Sequence, residues 1–176
     1  MTGPPRPGRI VCGVNGSSSS RGALAEAVRR AVASGARVTA VTAYDAVGYY
    51  WGALASLPGA DLLPAPHEAG IRIAEEATLR RFVASVLSDP RLVPPGTRVA
   101  VDVLAAPGHP VDVLVRESVG AEALVIGHGE EHGPLTSVAV GCSRRVRCPV
   151  VVVPLGSFAE EPGPKARGPR ADDPVS

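Results

Sequence analysis

The stretch "RIVCGVNGSSSSRGALAEAVRRAVASGARVTAVTAY", residues 9–44, contains both kinds of hydrophobic period in succession. "RIVCGVN" is a short β-branched run that stops at Asn15-Gly16, a turn dipeptide. The four serines that follow supply hydroxyls able to cap the free N–H groups of a helix start. Leu24, Ala27, Val28, Ala31 and Val32 then recur at helical spacing while Arg21, Glu26, Arg29 and Arg30 fall largely elsewhere, which predicts a helix with one buried face, ended by Gly35. "ARVTAVTAY" returns as a strand. The unit is therefore β-α-β, with a right-handed crossover.

The same alternation continues toward the C-terminus. Residues 45–66 combine Tyr49, Tyr50 and Trp51 with Pro and Gly and read as a long irregular loop whose aromatics cover the core. "HEAGIRIAEEATLRRFVASVL" places Ile71, Leu79, Phe82, Val83 and Val86 close to one face of an amphipathic helix, and Asp89-Pro90 and Pro94-Pro95-Gly96 end it. "TRVAVDVLA" is the third strand, and Pro110 opens the third helix, at a position where a missing N–H costs nothing. Ala123 to Ile126 form a fourth strand, residues 137–146 a fourth helix, and "PVVVVP" a fifth strand whose Val run implies burial on both faces or at an interface. Residues 1–8 and the Pro- and charge-rich residues 156–176 are expected to be disordered, which leaves one domain over residues 9–155.

Five strands alternating with four helices make an open parallel α/β sheet. The composition agrees: 45% hydrophobic with only 3% aromatic suits Val, Ala, Leu and Ile packed between layers. With 18 basic and 17 acidic residues the net charge is +1, so no general field attracts nucleic acid or an anionic membrane. The N-terminus has no apolar core of a leader and no later run is long enough to span a bilayer, which predicts a cytoplasmic protein. Cys12, Cys142 and Cys148 form no CxxC pair and read as reduced thiols, with Cys12 in the core and Cys142 the more exposed.

In open α/β sheets ligands sit beyond the carboxyl ends of the strands. The segments that reach that end are residues 13–17, 41–45 and 127–137. None carries the Gly-x-Gly-x-x-Gly of a dinucleotide fold or the Lys-Ser/Thr of a P-loop. "HGEEH", residues 128–132, lacks the Glu directly after the first His that a zinc hydrolase needs, and Gly133-Pro134 favour a polar turn over a helix, so no metal site is expected. The Arg144, Arg145 and Arg147 cluster has no interleaved aromatics and reads as a solvated helix face. Asp112 and Glu117 read as surface charges, and His109 as part of the turn that launches the third helix.

Taken together, "IVCGVNGSSSSRGALAEAV", "GARVTAVTAY", "APGHPVDVLV", "ALVIGHG" and "TSVAVGCSRRVRCPVVVVP", in this order and spacing, resemble the universal stress protein family over about residues 8–155. The resemblance implies a five-stranded parallel sheet of order 3-2-1-4-5 with helices on both faces, of the adenine nucleotide alpha hydrolase-like type. It also implies a homodimer paired through the last strand, here Pro149 to Val153. Many members bind ATP through a Gly-x2-Gly-x9-Gly-Ser/Thr loop after the fourth strand, an Asp closing the first strand and a hydrophobic residue on the second. Carried onto this chain, the nucleotide positions are Gly13, Val14, Asn15, Ser17, Val41, Ala43, Ile126, Gly127, Gly129, Gly133, Thr136, Ser137 and Val138. Val41, Ala43, Gly13 and Ile126 would shape an adenine-sized slot, and Ser137 would donate to a phosphate.

Three departures from the pattern bear on the ligand. Asn15 stands at the Asp position, Glu130 at the second glycine and Thr136 at the last, and the loop is about four residues shorter than the family's. Taking Gly141 as the last glycine instead puts Cys142 at the hydroxyl position and leaves too few residues for a helix before Cys148. Glu130 and Glu131 place negative charge where a triphosphate would lie, which opposes tight ATP binding and leaves weak binding of ATP or AMP, with Mg, as the expectation. The function expected first is a dimeric, non-catalytic interaction module of the stress response with weakened or lost nucleotide binding, offering Tyr49, Tyr50 and Trp51 as a contact surface to an unidentified protein partner. An ATP or AMP sensor is the second reading. An ATPase or nucleotidyl transferase comes last, because the sequence shows no base, metal set or nucleophile.

Overall fold

The computed structural model describes residues 8–45, 68–128, 137–154 and 156. Its strands are β1 (Arg9–Gly13), β2 (Arg37–Tyr44), β3 (Val101–Pro107), β4 (Ala123–His128) and β5 (Val150–Pro154). Its helices are α1 (Ser18–Ser34), α2 (Glu68–Leu87), α3 (Pro110–Glu117) and α4 (Ser137–Ser143). The strands form one parallel sheet in the order β3-β2-β1-β4-β5, as the resemblance implied.

Helices cover both faces, and the alternation of strand side chains shows how. Ile10, Cys12, Val38, Ala40 and Val125 point into a core completed by Ala23, Leu24, Ala27 and Val28 of α1 and Leu79, Val83 and Val86 of α2. Their sequence neighbours Val11, Val41, Leu124 and Ile126 point the other way, onto Val111, Val113 and Leu114 of α3 and Cys142 of α4. Because both faces of the central strands are buried, β1, β2 and β4 read as nearly continuous apolar runs. Each fully buried Leu or Val contributes roughly 1.5–3 kcal/mol of transfer free energy.

α1 begins where the sequence suggests. Ser17 is the N-cap in extended geometry and its side chain accepts from the Ser20 N–H. Gly35, at φ 71°, ends the helix in the left-handed conformation that glycine adopts without strain. Two expectations fail on its surface. Val32 is 52% exposed, whereas Glu26 is only 5% exposed. The cause is that α1 packs against β5 and α2 as well as β1 and β4, so its buried arc is rotated and widened relative to the apolar stripe. Glu26 pairs in this setting with Arg29 and with Arg30, whose Nε lies 2.6 Å from its Oε1.

α1 and α2 are tied at their edges by charge. Arg21 donates to Ser85 Oγ at 3.0 Å, stands over the Phe82 ring and pairs with Asp89 at 3.6 Å. Three hydrogen bonds from Arg91, two from its guanidinium and one from its backbone N–H, hold the Asp89 carboxyl below the usual carboxylate range.

Element ends differ from the sequence reading by a few residues. β3 starts at Val101 and not at Thr97, because Gly96 at φ 83° and the Thr97 hydroxyl, 2.6 Å from the Pro94 carbonyl, make residues 94–97 a turn. It runs on to Pro107, which sits opposite Tyr44 at the sheet edge where no donor is needed. β4 continues to His128 because β5 reaches Pro154 beside it. α4 stops at Ser143, where the Arg145 and Val146 N–H groups both turn back to the Cys142 carbonyl at 2.9 Å. The cover proposed for Tyr49, Tyr50 and Trp51 lies outside the described residues, as do the two ends expected to be disordered apart from Gly8 and Gly156.

Candidate functional site at the carboxyl ends of β1 and β4

From β1 the chain runs to β2 and β3 on one side, and β4 and β5 lie on the other. The order therefore reverses between β1 and β4, and the loops leaving these two strands diverge to opposite faces, opening a crevice at their carboxyl ends. Gly13 pairs with Val41 on one side and Ile126 on the other, so these three residues form one row across the sheet.

Val41 and Ile126 of that row belong to the core. Val41 is 1% and Ile126 5% exposed, and both pack with Leu114 of α3. A Cβ placed on Gly13 would stand 3.0 Å from a Leu114 methyl, so glycine is there to admit α3. Val14 is buried on the opposite face, and its N–H donates to the Val41 carbonyl at 2.8 Å. Further along, past this row, lie Ala43 on β2, Asn15 and Ser17 after β1, and His128 at the end of β4.

Gly127 also has a packing reason. A Cβ there would lie 2.4 Å from the Ser19 carbonyl oxygen, so only glycine lets the end of β4 pass the first turn of α1. Gly141 lies within α4, where a Cβ would meet Val111 at 2.9 Å, which accounts for it as a helix contact and not as the last glycine of a phosphate loop. Ser137 is the first residue of α4, and Val138 is half-buried against the core under that helix. Gly129, Gly133 and Thr136, with Glu130 and Glu131, lie outside the described residues.

At the β1 lip the polar groups are organised around Asn15. Its Oδ1 accepts from the Ser17 N–H at 3.2 Å, the Ser17 hydroxyl at 2.7 Å and the Ser20 hydroxyl at 2.5 Å. Its own N–H donates to Ser20 Oγ at 3.1 Å. The Ser19 and Ser17 hydroxyls are 2.9 Å apart, so the serine run is one connected network. Ser19 and Ser20 were missed as site-shaping residues; the signal was present in the asparagine followed by hydroxyls at the spacing of an Asx turn and N-cap. At the end of β4, His128 Nδ1 is buried without a hydrogen-bond partner among the described residues. Tyr44, at the end of β2, likewise buries its hydroxyl without a partner among the described residues, and burial, followed by Glu68, raises its pKa.

The other candidates fall into structural roles. Cys142, expected to be the more exposed thiol, is fully buried, and that burial pushes its pKa up to about 11. Cys12 is buried in the core, its pKa raised to about 12. Cys148 is the accessible one of the three. Arg145 reaches Asp112 at 2.6 Å and so joins α4 to α3. His109 is the N-cap of α3 but makes no side-chain capping bond, leaving Pro110 to start the helix. Among the described residues no group of three His, Cys, Asp or Glu is placed to hold a metal ion, and no helix is long and apolar enough to cross a membrane.

Fold and strand order together define an open, doubly wound α/β protein whose strand order reverses between β1 and β4. The model of the universal stress protein family matches residues 7–154, and the chain belongs to that family. Its fold is similar to solved structures of a universal stress protein in complex with cAMP (23% identity, TM-score 0.53, covering 84% of this chain and 97% of that one) and of UspA from Lactobacillus plantarum (22%, 0.56, 84% and 98%). It is also similar to a universal stress protein family protein from Arabidopsis thaliana with AMP bound (16%, 0.54, 90% and 99%). No curated protein sequence matches the chain.

Proposed function

We propose that this universal stress protein is a non-catalytic, cytoplasmic adenine-nucleotide binder of the stress response, which carries a mononucleotide weakly in the β1/β4 crevice. The observation that carries the reading is the Asn15 network together with the unpaired His128 Nδ1, two sets of polar groups at the lips of the same crevice. Similar proteins solved with cAMP and AMP support the choice of adenine nucleotides. Because Val41 and Ile126 are sealed beneath α3, a base at this site would rest against the strand ends near Ala43 and not in a deep slot, which favours weak affinity.

Edge strand β5 supports the accompanying expectation of a homodimer. Among the described residues it pairs only with β4, and Val152 on it is 41% exposed. In this reading nucleotide occupancy biases which partner the dimer contacts.

Isothermal titration of the full chain with AMP, cAMP, ADP and ATP, with and without magnesium, tests the reading, alongside an assay for released phosphate. Saturable binding of AMP without ATP turnover is expected. No heat up to millimolar nucleotide overturns nucleotide binding, and steady phosphate release overturns the non-catalytic assignment.

A further inference from the structure

The backbone of β5 presents a regular open edge. Its neighbour Pro149 turns its carbonyl inward, accepting from the Leu124 N–H at 2.9 Å. Successive residues of a strand direct their N–H and C=O to opposite edges, so Val151 and Val153 also face β4 whereas Val150 and Val152 face outward. Among the described residues no strand pairs with that outer edge, and the Val152 side chain is 41% exposed on it. An edge of this kind is a template for one more strand.

Just past β5 the chain holds what such a strand needs, a turn and a complementary segment. Gly156 is exposed at φ 88°, the conformation of the third residue of a type II turn, where glycine is preferred. A turn over Pro154-Leu155-Gly156-Ser157 reverses the chain with a two-residue loop and sets Ser157 beside Pro154. In that register Ala159 stands opposite Val152 and Glu161 opposite Val150, so hydrogen bonds are exchanged with the two valines whose backbone faces outward. Pro162 then stops the added strand after residues 157–161, which matches the 5 residues of β5.

Charge favours the same register. Glu160 and Glu161 come to the amino end of β5, the end that the chain enters from Arg144, Arg145 and Arg147. Arg145 is engaged by Asp112, while Arg144 and Arg147 are exposed and make no ion pair among the described residues. Tethering adds to this: a segment on so short a loop meets the edge at an effective concentration on the order of 1 mM, about a thousandfold above a second copy present at about 1 µM.

We infer that residues 157–161 add to the open edge of β5 as an antiparallel strand, so that the chain's own tail and a second copy compete for one surface. The competition rests on the proposed dimer; the docking of the tail does not.

Amide hydrogen exchange of the full chain, labelled at low and at high protein concentration and read residue by residue by mass spectrometry, tests this against the variant Ala159→Pro. The substitution lies beyond residues 7–154 that match the family, and it removes the N–H that the added strand donates to Val152. In the dilute unaltered chain the Val152 N–H should exchange about tenfold more slowly than in the variant. In analytical ultracentrifugation the variant should dimerise at about tenfold lower concentration, because its edge is no longer occupied. Equal exchange at Val152 in the two dilute proteins, or protection that appears only on concentration, overturns the docking; in the second case the edge is covered by a second copy. Protection that the variant loses, with an unchanged dimer midpoint, overturns the competition and supports the docked tail. The same loss in a protein that stays monomeric supports the docked tail and overturns the dimer reading.

Discussion

Gly127 shows how one residue type can satisfy two different arguments. Read as sequence, it is the first glycine of a phosphate loop; in the fold, a Cβ there would sit 2.4 Å from the Ser19 carbonyl. The obstructing atom is backbone and cannot rotate away, so Gly127→Ala should destabilise the fold by about 3 kcal/mol, the upper range of overpacking, as measured by denaturant unfolding. A glycine kept only for ligand approach would tolerate alanine in the unliganded protein with little change. The cysteines make a second residue-scale case. With their pKa values raised to about 12 and about 11, Cys12 and Cys142 remain protonated thiols at pH 8. A thiol reagent followed by mass spectrometry should therefore modify Cys148 first and reach the other two only after unfolding. None of this was visible along the chain, because Cys142 stands beside three exposed residues and its burial arises from packing on α3.

At the scale of elements, α1 and its preceding turn behave as one device. Ser17 caps the helix and at the same time donates to Asn15, so Ser17→Ala removes a helix cap and one of the three bonds that hold the amide. The cap alone is worth about 1 kcal/mol. The variant should unfold about that much more readily, and it should also bind AMP more weakly because the amide is less well held; titration and thermal melting on the same sample separate the two effects. The element ends were the least legible part of the sequence. β3 and α4 shifted because a turn at Gly96 and a carbonyl at Cys142 drew the flanking N–H groups away from the regular ladder, a competition between local hydrogen bonds that hydrophobic period does not register.

For the molecule as a whole, the parallel sheet leaves two edges, and they differ in cover. β3 is packed under α2, whereas among the described residues β5 has the seven-residue α4 and the flank of α1 beside it. Val152 is exposed as a result. Val152→Lys should leave the monomer folded and convert a dimer into monomers in analytical ultracentrifugation; a variant that sediments like the unaltered chain would place any association elsewhere. The alternating apolar periods, the Asn-Gly turn and the hydroxyl run were enough, without coordinates, to determine five strands, four helices and the α/β class, since each depends on residues near one another in the chain. Five ordered motifs likewise carried the family. Tertiary structure alone decided that Val41 and Ile126 lie buried in one core with Leu114, that Gly127 yields to Ser19, and that the Asn15 side-chain oxygen is taken up by Ser17 and Ser20. Those outcomes depend on which helix crosses which strand end and at what distance, and that is set by the packing of segments far apart in sequence.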